Sequence, residues 1–70
     1  MGMDVLLADH REYPRKALRR LFSTIPIVES IYEAATIQEL KRYLVSSTVD
    51  LVMIHQSLIE DINVLPGIIS

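Results

Sequence analysis

Val5-Leu6-Leu7-Ala8-Asp9-His10 is the stretch that decides the fold. Four consecutive apolar residues followed at once by polar ones are typical of a short strand that is buried on both faces, as in a parallel sheet. Asp4 precedes the apolar run and Asp9 ends it. We therefore predict a first strand here, with Asp9 and His10 at its carboxyl end.

The segment after this strand predicts a helix over about residues 11–23. Its apolar and basic residues recur at helical spacing on opposite faces. Pro14 falls in the first turn, where its missing N–H costs little. The predicted apolar face consists of Ala17, Leu18, Leu21 and Phe22, and the predicted basic face of Arg15, Lys16, Arg19 and Arg20.

The next two predicted elements are a strand and a helix. Residues 27–32 carry β-branched and aromatic side chains interrupted by polar ones, which indicates a half-exposed edge strand. Thr36, three residues before Glu39, forms a capping box that predicts the start of a helix, with an end near Ser46 and Ser47. The apolar stripe of this helix is Ile37, Leu40 and Leu44.

Residues 49–54 form the most continuously hydrophobic segment of the chain. We expect them to be a third strand in a sheet that is covered on both faces, ending at His55. Beyond this strand the pattern weakens, and residues 62–65 predict at most a short turn of helix before Pro66 and Gly67.

The order strand, helix, strand, helix, strand is the pattern of two βαβ units, which require parallel strands and right-handed connections. The predicted fold class is therefore α/β. Residues 1–70 are predicted to be one domain, because 70 residues allow one small core. With the first strand between the other two, in the order 2-1-3, Asp9, His10 and His55 are expected to meet at one edge of the sheet.

Composition excludes several classes of function. Half of the 70 residues are hydrophobic and 23% are charged, which is typical of a globular chain. The absence of cysteine excludes disulfides and thiolate chemistry. No apolar run is long enough for a membrane helix and no signal peptide pattern is present, so we expect a cytoplasmic protein without membrane contact.

Positive charge is concentrated in one segment, because five of the seven Lys and Arg residues lie within residues 11–20. Clustered cations are typical of phosphate-binding surfaces. However, no aromatic side chains interleave them and the net charge is −2, so we expect no direct nucleic-acid binding. We favour a solvent-exposed face or one that docks a protein partner, with Arg15 and Arg19 available to pair with acidic residues of that partner.

The aromatic residues and one methionine are interpreted as structural. Tyr13, Tyr32 and Tyr43 are expected to be amphipathic packing residues rather than a binding surface. Met53 is expected to fill the core.

The order and spacing of four segments resemble the receiver domains of two-component response regulators, particularly those joined to a helix-turn-helix DNA-binding domain. The segments are Val5 to His10, Arg15 to Phe22, Glu33-Ala34 with the Thr36 cap, and Asp50 to His55. The first resembles the family's first strand with its acidic pair, and the last resembles the approach to its phosphoacceptor. The resemblance covers residues 4 to about 64. It implies a flavodoxin-like receiver fold, truncated here after the third strand, within a transcriptional regulator.

The departures from that family indicate a pseudo-receiver. The family's acidic pair holds Mg²⁺ during phosphoryl transfer to an aspartate. Here His10 replaces the second acid, His55 stands at the acceptor position, and Ile59 replaces a proline. The family's switch hydroxyl and lysine belong to later strands. The resemblance therefore implies no catalytic residue, loss of Mg²⁺ binding and no aspartyl phosphate. We expect a non-enzymatic module that regulates through protein contacts and dimerisation.

Two other uses of the altered pocket stay open. Asp9, His10 and His55 are a plausible ligand set for a transition metal, so a metal- or small-ligand-sensing module is the alternative, although no sequence-local metal spacing supports it. Phosphorylation of His55 itself is less favoured, since it follows a strand rather than lying on a helix. An enzyme finds little support, because the sequence shows no nucleophile–base pair, Gly-rich phosphate loop or paired carboxylates.

The predicted strand order leaves the third strand at an open edge of the sheet. Such an edge promotes aggregation unless something pairs with it. Either the chain is a fragment of a longer protein, or two copies meet at this edge. We expect a homodimer or a domain-swapped oligomer, formed through the edge of residues 49–54 or by exchange of the segment after His55.

Overall fold

A computed structural model describes residues 2–60 of the chain. Its elements, in chain order, are β1 (Met3–Ala8), α1 (Glu12–Phe22), β2 (Val28–Ala34), α2 (Ile37–Ser46), β3 (Leu51–Ile54) and α3 (Gln56–Glu60). The strands form one three-stranded sheet in the order β2-β1-β3, and both strand pairs are parallel. The predicted α/β class and strand order are confirmed. The predicted turn of helix at residues 62–65 lies outside the described residues.

β1 is the central strand and is paired on both sides. Its register with β2 runs from Met3 opposite Val28 to Ala8 opposite Ala34, with one shift after Met3. Its register with β3 runs from Val5 opposite Leu51 to Ala8 opposite Ile54. All four residues of the apolar run in β1 are buried. The prediction of a strand covered on both faces is confirmed here.

The hydrophobic core lies on the face of the sheet that packs against α2 and α3. Leu6 and Ala8 of β1 contact Ala34 of β2, Leu40 of α2 and Leu58 of α3 in one buried cluster. Tyr32 and Tyr43 pack against this cluster, with ring centroids 5.2 Å apart, as predicted for these two tyrosines. α3 was not predicted, because five residues are too few to show helical periodicity, yet it contributes the fully buried Leu58.

α2 begins and ends where the sequence predicts. Thr36 Oγ1 accepts a hydrogen bond from the Glu39 backbone N–H at 3.1 Å, which confirms the capping box. The Glu39 carboxylate reaches back one residue further than expected and accepts the Ala35 N–H at 2.7 Å. In the predicted apolar stripe, Leu40 is buried but Leu44 is 51% exposed, so the stripe is narrower than the sequence indicates.

α1 covers the opposite face of the sheet only in part. It lies mainly over β1 and β2, and none of its residues is fully buried. Leu18 is half-buried, whereas Ala17 and Leu21 of the predicted apolar face are exposed. The packing role predicted for Tyr13 is wrong, since this side chain is 89% exposed in the first turn of the helix.

β3 differs most from its prediction. It is shorter than residues 49–54, and three of its four residues are exposed. Met53 is 38% exposed and is therefore not core filler. The physical reason is that β3 lies at the edge of the sheet and α1 does not extend over it. β2, the other edge strand, is partly buried along most of its length, as predicted for a half-exposed strand.

Candidate functional site at the carboxyl end of the sheet

Asp9 is the centre of the polar groups at the carboxyl end of the sheet. It follows β1, its backbone N–H donates to the Ala34 carbonyl at 3.0 Å, and the residue is 3% exposed. Oδ1 accepts hydrogen bonds from the backbone N–H of Arg11 at 2.8 Å and from its Nε at 3.1 Å. Oδ2 accepts a hydrogen bond from Arg11 Nη2 at 3.1 Å. Both oxygens of this buried carboxylate are therefore held by one arginine two residues away.

The charges of Asp9 and Arg11 stabilise each other. Burial alone would raise the pKa of Asp9, but the hydrogen bonds from Arg11 and the charge of Arg11 hold this pKa below its usual value. The hydrogen bond to Asp9 in turn raises the pKa of Arg11. At neutral pH the pocket therefore contains a carboxylate with a guanidinium as its counter-ion.

His55 ends β3 and caps α3. Its backbone N–H donates to the Ala8 carbonyl at 2.8 Å, and its ring Nδ1 accepts the Ser57 backbone N–H at 2.9 Å. Because Nδ1 accepts that bond, the proton of the neutral ring lies on Nε2. The imidazole thus satisfies one of the free amides at the start of a helix, a role usually filled by Ser, Thr, Asp or Asn.

Ser57 connects His55 to Asp9. Its Oγ lies 2.9 Å from His55 Nδ1 and donates to Asp9 Oδ1 at 3.4 Å, at the long end of the hydrogen-bond range. The contact between Ser57 and His55 has the composition of a nucleophile and a base. However, the in-plane lone pair of Nδ1 is already occupied by the Ser57 amide, and the hydroxyl donates to a carboxylate. The geometry is that of a helix cap and a bridge between strands.

The cluster predicted for Asp9, His10 and His55 forms only in part. Asp9 and His55 come together through Ser57, whereas His10 is exposed and joins no side-chain hydrogen bond with another described residue. Within residues 2–60, no three His, Asp or Glu side chains are grouped so that they could hold one metal ion.

The donor atoms at this position do not fit a divalent cation. Mg²⁺ requires several oxygen ligands, and the single carboxylate of Asp9 has both oxygens bound to Arg11. A transition metal prefers imidazole nitrogen, but His55 Nδ1 is occupied by the Ser57 amide, and its Nε2 carries the proton. A cation would have to displace Arg11 to reach Asp9.

A second polar cluster lies where α1 crosses β2. Glu33 of β2 accepts hydrogen bonds from Arg15 Nε at 2.8 Å, Lys16 Nζ at 3.2 Å and Arg19 Nη1 at 2.9 Å. Arg15 and Arg19, which were expected to be available for acids of a partner, thus both bind an acid of their own chain. The sequence could not show this, since the contact depends on how α1 crosses β2.

The electrostatics of this second cluster resemble those at Asp9. Burial would raise the pKa of Glu33, but hydrogen bonds from Arg15 and Lys16 and their charges hold it below its usual value. Arg15 Nη1 also donates to the Asp9 backbone carbonyl at 2.8 Å. Side-chain hydrogen bonds thus run from Ser57 through Asp9 and Arg15 to Glu33, and connect the ends of all three strands.

A cavity of about 300 Å³ lies between α1 and β3, beside Asp9. Its lining includes the apolar side chains of Leu7, Leu18 and Met53 and the polar side chains of Arg11 and His55. It exists because α1 covers β1 and β2 but leaves the same face of β3 open. This volume is at the lower limit of pockets that bind small molecules.

Three residues of the site were missed by sequence reasoning. Arg11 carries a weak signal, because a residue two positions after a strand-ending acid is placed to donate its N–H to that acid. Ser57 had none, since α3 was not predicted. Glu33 lies at the end of a predicted strand, but nothing in the sequence relates it to α1.

No family model, no curated protein and no solved structure matched this chain. The class that the described residues define is therefore an α/β unit with a three-stranded parallel sheet. None of its helices within residues 2–60 has the length and apolar character needed to cross a membrane.

Proposed function

We propose that this protein is a pseudo-receiver, a cytoplasmic and non-enzymatic signalling module that regulates through protein contacts and dimerisation without aspartyl phosphorylation. By resemblance, it acts within a transcriptional response regulator of a two-component system. The proposal rests on one observation: the Asp9 carboxylate is buried, and Arg11 is hydrogen-bonded to both of its oxygens.

Arg11 supplies at Asp9 the positive charge that Mg²⁺ supplies in the receiver family. A cation would gain one carboxylate but would first have to break three hydrogen bonds between Asp9 and Arg11. Two of these bonds join oppositely charged groups, and such bonds are stronger than neutral ones. Arg11 belongs to the same chain, so its guanidinium is always close to the Asp9 carboxylate, whereas Mg²⁺ must bind from solution.

The acceptor position supports the same function. His55 has no carboxylate, and its Nδ1 is committed to the Ser57 amide. The ring therefore stabilises the turn between β3 and α3, and no group at this position forms an aspartyl phosphate. Exposed apolar residues of β3 and exposed basic residues of α1 provide surfaces for protein contacts.

Mg²⁺ titration followed by NMR tests this function. In the wild-type chain we expect no saturable Mg²⁺-dependent shift at the Asp9 amide. Arg11→Gln removes the counter-ion and is expected to strengthen Mg²⁺ binding at Asp9. Arg20→Gln is the matched control, because it makes the same change in net charge on an exposed residue that does not contact Asp9.

The same proteins are then treated with acetyl phosphate and Mg²⁺ and their intact masses are measured. We expect no added phosphoryl group on the wild type or on His55→Asp, whose new carboxylate is itself a good helix cap. Saturable Mg²⁺ binding by the wild type, or a phosphoryl group on His55→Asp, contradicts the proposal.

A small-ligand sensor is the second candidate, and the cavity beside Asp9 is the observation that favours it. A mainly apolar lining with a few polar side chains is typical of ligand sites. A small molecule retained in the native mass spectrum of the purified chain, and lost when Leu18→Trp fills the cavity, supports this candidate.

A further inference from the structure

The outer edge of β3 carries no charged residue between Leu51 and Ile54. Natural edge strands usually avoid pairing with other chains by placing charges, prolines or bulges at the edge. Asp50 and His55, which flank β3, are polar, but the side chain of each is hydrogen-bonded to a backbone N–H of its own chain. Asp50 Oδ2 accepts the backbone N–H of Asp4 at 2.8 Å, and His55 Nδ1 accepts that of Ser57. Within residues 2–60, no charged side chain therefore protects this edge.

One face of β3 also lacks a covering element among the described residues. Leu51 and Met53 are opposite Val5 and Leu7 of β1, so they share the face on which α1 lies. Val5 and Leu7 are buried there, whereas Leu51 is 37% and Met53 38% exposed. The open edge and the open apolar face thus belong to the same short strand.

Symmetry determines how two such edges can join. A two-fold axis perpendicular to the sheet makes the strands antiparallel and keeps each face of the sheet on its own side. Residues directly opposite each other must then come from the same face. Of the registers that satisfy this condition, only those with Val52 or Met53 on the axis pair three residues of each β3 with β3 of the other copy.

The register with Val52 on the axis fits the exposed residues of the α1 face better. It places Leu51 of each copy opposite Met53 of the partner copy, so that four exposed apolar side chains form one cluster on the α1 face. With Met53 on the axis, Leu51 would instead face the partner copy's His55. Burying apolar against apolar surface is favoured over burying it against an imidazole.

We propose that β3 pairs with β3 of a second copy of this chain, antiparallel about Val52, and so forms a six-stranded sheet. The proposal deepens the proposed function by naming the partner and the register of the dimer. The cavities beside the two β3 strands then lie on the same face of the joined sheet. Because the paired segment is short, the association depends on protein concentration.

Single-cysteine variants test the register, since the chain has no cysteine of its own. Because His55 N–H donates to the Ala8 carbonyl, alternate residues of β3 face β1 and the backbone groups of Val52 point to the open edge. In the proposed dimer, Val52 therefore faces its own copy as a hydrogen-bonded pair, with Cα atoms about 5.5 Å apart. This distance lies within the range that a disulfide spans. We expect Val52→Cys to form a disulfide dimer on mild oxidation at least tenfold faster than Met53→Cys. Val45→Cys, on an 88% exposed residue of α2, is the control for random collision.

Equal rates for Val52→Cys and Val45→Cys, or a faster rate for Met53→Cys, overturn the proposed register. Sedimentation equilibrium of the unaltered chain tests the dimer without any substitution, and a monomer at all concentrations overturns it. If the chain is a monomer and does not bind Mg²⁺, the proposed dimer is contradicted but the proposed function of the Asp9 pocket is not. If the chain is a dimer and gains a phosphoryl group, the proposed function is contradicted but the interface is not.

Discussion

The two edges of the sheet are built differently. Along β2, Arg19 Nη1 donates to the Ile31 carbonyl at 3.2 Å, and Glu33 holds Arg15, Lys16 and Arg19 against the strand. Along β3, the neighbouring polar side chains bond elsewhere and the strand itself is apolar. The protection of a sheet edge thus depends on where the neighbouring charged side chains bond, and not only on how hydrophobic the strand is.

The largest effect is expected from removing the acid that organises the β2 edge. Glu33→Ala leaves Arg15, which is 11% exposed in its side chain, close to Lys16 and Arg19 with no counter-ion. We expect a loss of roughly 2–3 kcal/mol in the free energy of unfolding. Urea denaturation measures it.

Glu29→Ala is the control for that substitution, because this exposed residue lies on the same strand and forms no ion pair with a described residue. Its effect is expected to stay within about 0.5 kcal/mol. Equal losses for the two variants contradict the role of Glu33 in protecting the β2 edge.

Acid is expected to weaken both polar clusters together. The pKa values of Asp9 and Glu33 lie below their usual values of 3.8 and 4.5 in the folded state. The unfolded chain therefore binds more protons in this range, so the stability contributed by these groups is present above about pH 4.5 and is lost as the pH falls through the lower folded values. Denaturation between pH 3 and pH 7 measures the slope.

The double variant Asp9→Asn with Glu33→Gln is the control for the acid prediction. It removes both carboxylates while it keeps their approximate shapes, so its stability should depend less on pH over the same interval. An unchanged slope in this variant assigns the acid sensitivity to other groups and contradicts the prediction.

The smallest effect on stability, and the most specific one, is expected at the β3 edge. Met53→Lys adds a charge to an exposed side chain, so the stability of the isolated chain should change by less than about 0.5 kcal/mol. The same charge faces Leu51 of the partner copy in the proposed dimer and should weaken association at least tenfold. Val45→Lys on α2 is the matched control, because it adds the same charge to an exposed apolar side chain. An equal loss of association there contradicts the assignment of the interface to β3.

The strands and caps could be predicted because their signals are local. The apolar run in β1 and the Thr36 capping box each depend on residues close in sequence, and both are confirmed. The burial of β3 was predicted wrongly, because an apolar run has the same appearance whether a helix covers it or not. Its exposure depends on where α1 lies, which is a tertiary property.

The candidate site could be predicted only as a location. Parallel strands place Asp9 and His55 at one end of the sheet, which the topology required. The hydrogen bonds from Arg11 to both oxygens of Asp9 depend on the backbone path into α1 and on the forked shape of the guanidinium. The bridge through Ser57 depends on a helix too short to leave a periodic signal.

Sedimentation equilibrium of the 70-residue chain over a wide range of concentrations tests most directly the claim that the β3 edge is left open for a second copy. We expect a reversible dimer of two 8.0 kDa chains whose fraction rises with concentration, and a monomer for Met53→Lys under the same conditions. An 8.0 kDa monomer for the unaltered chain at every concentration would contradict it.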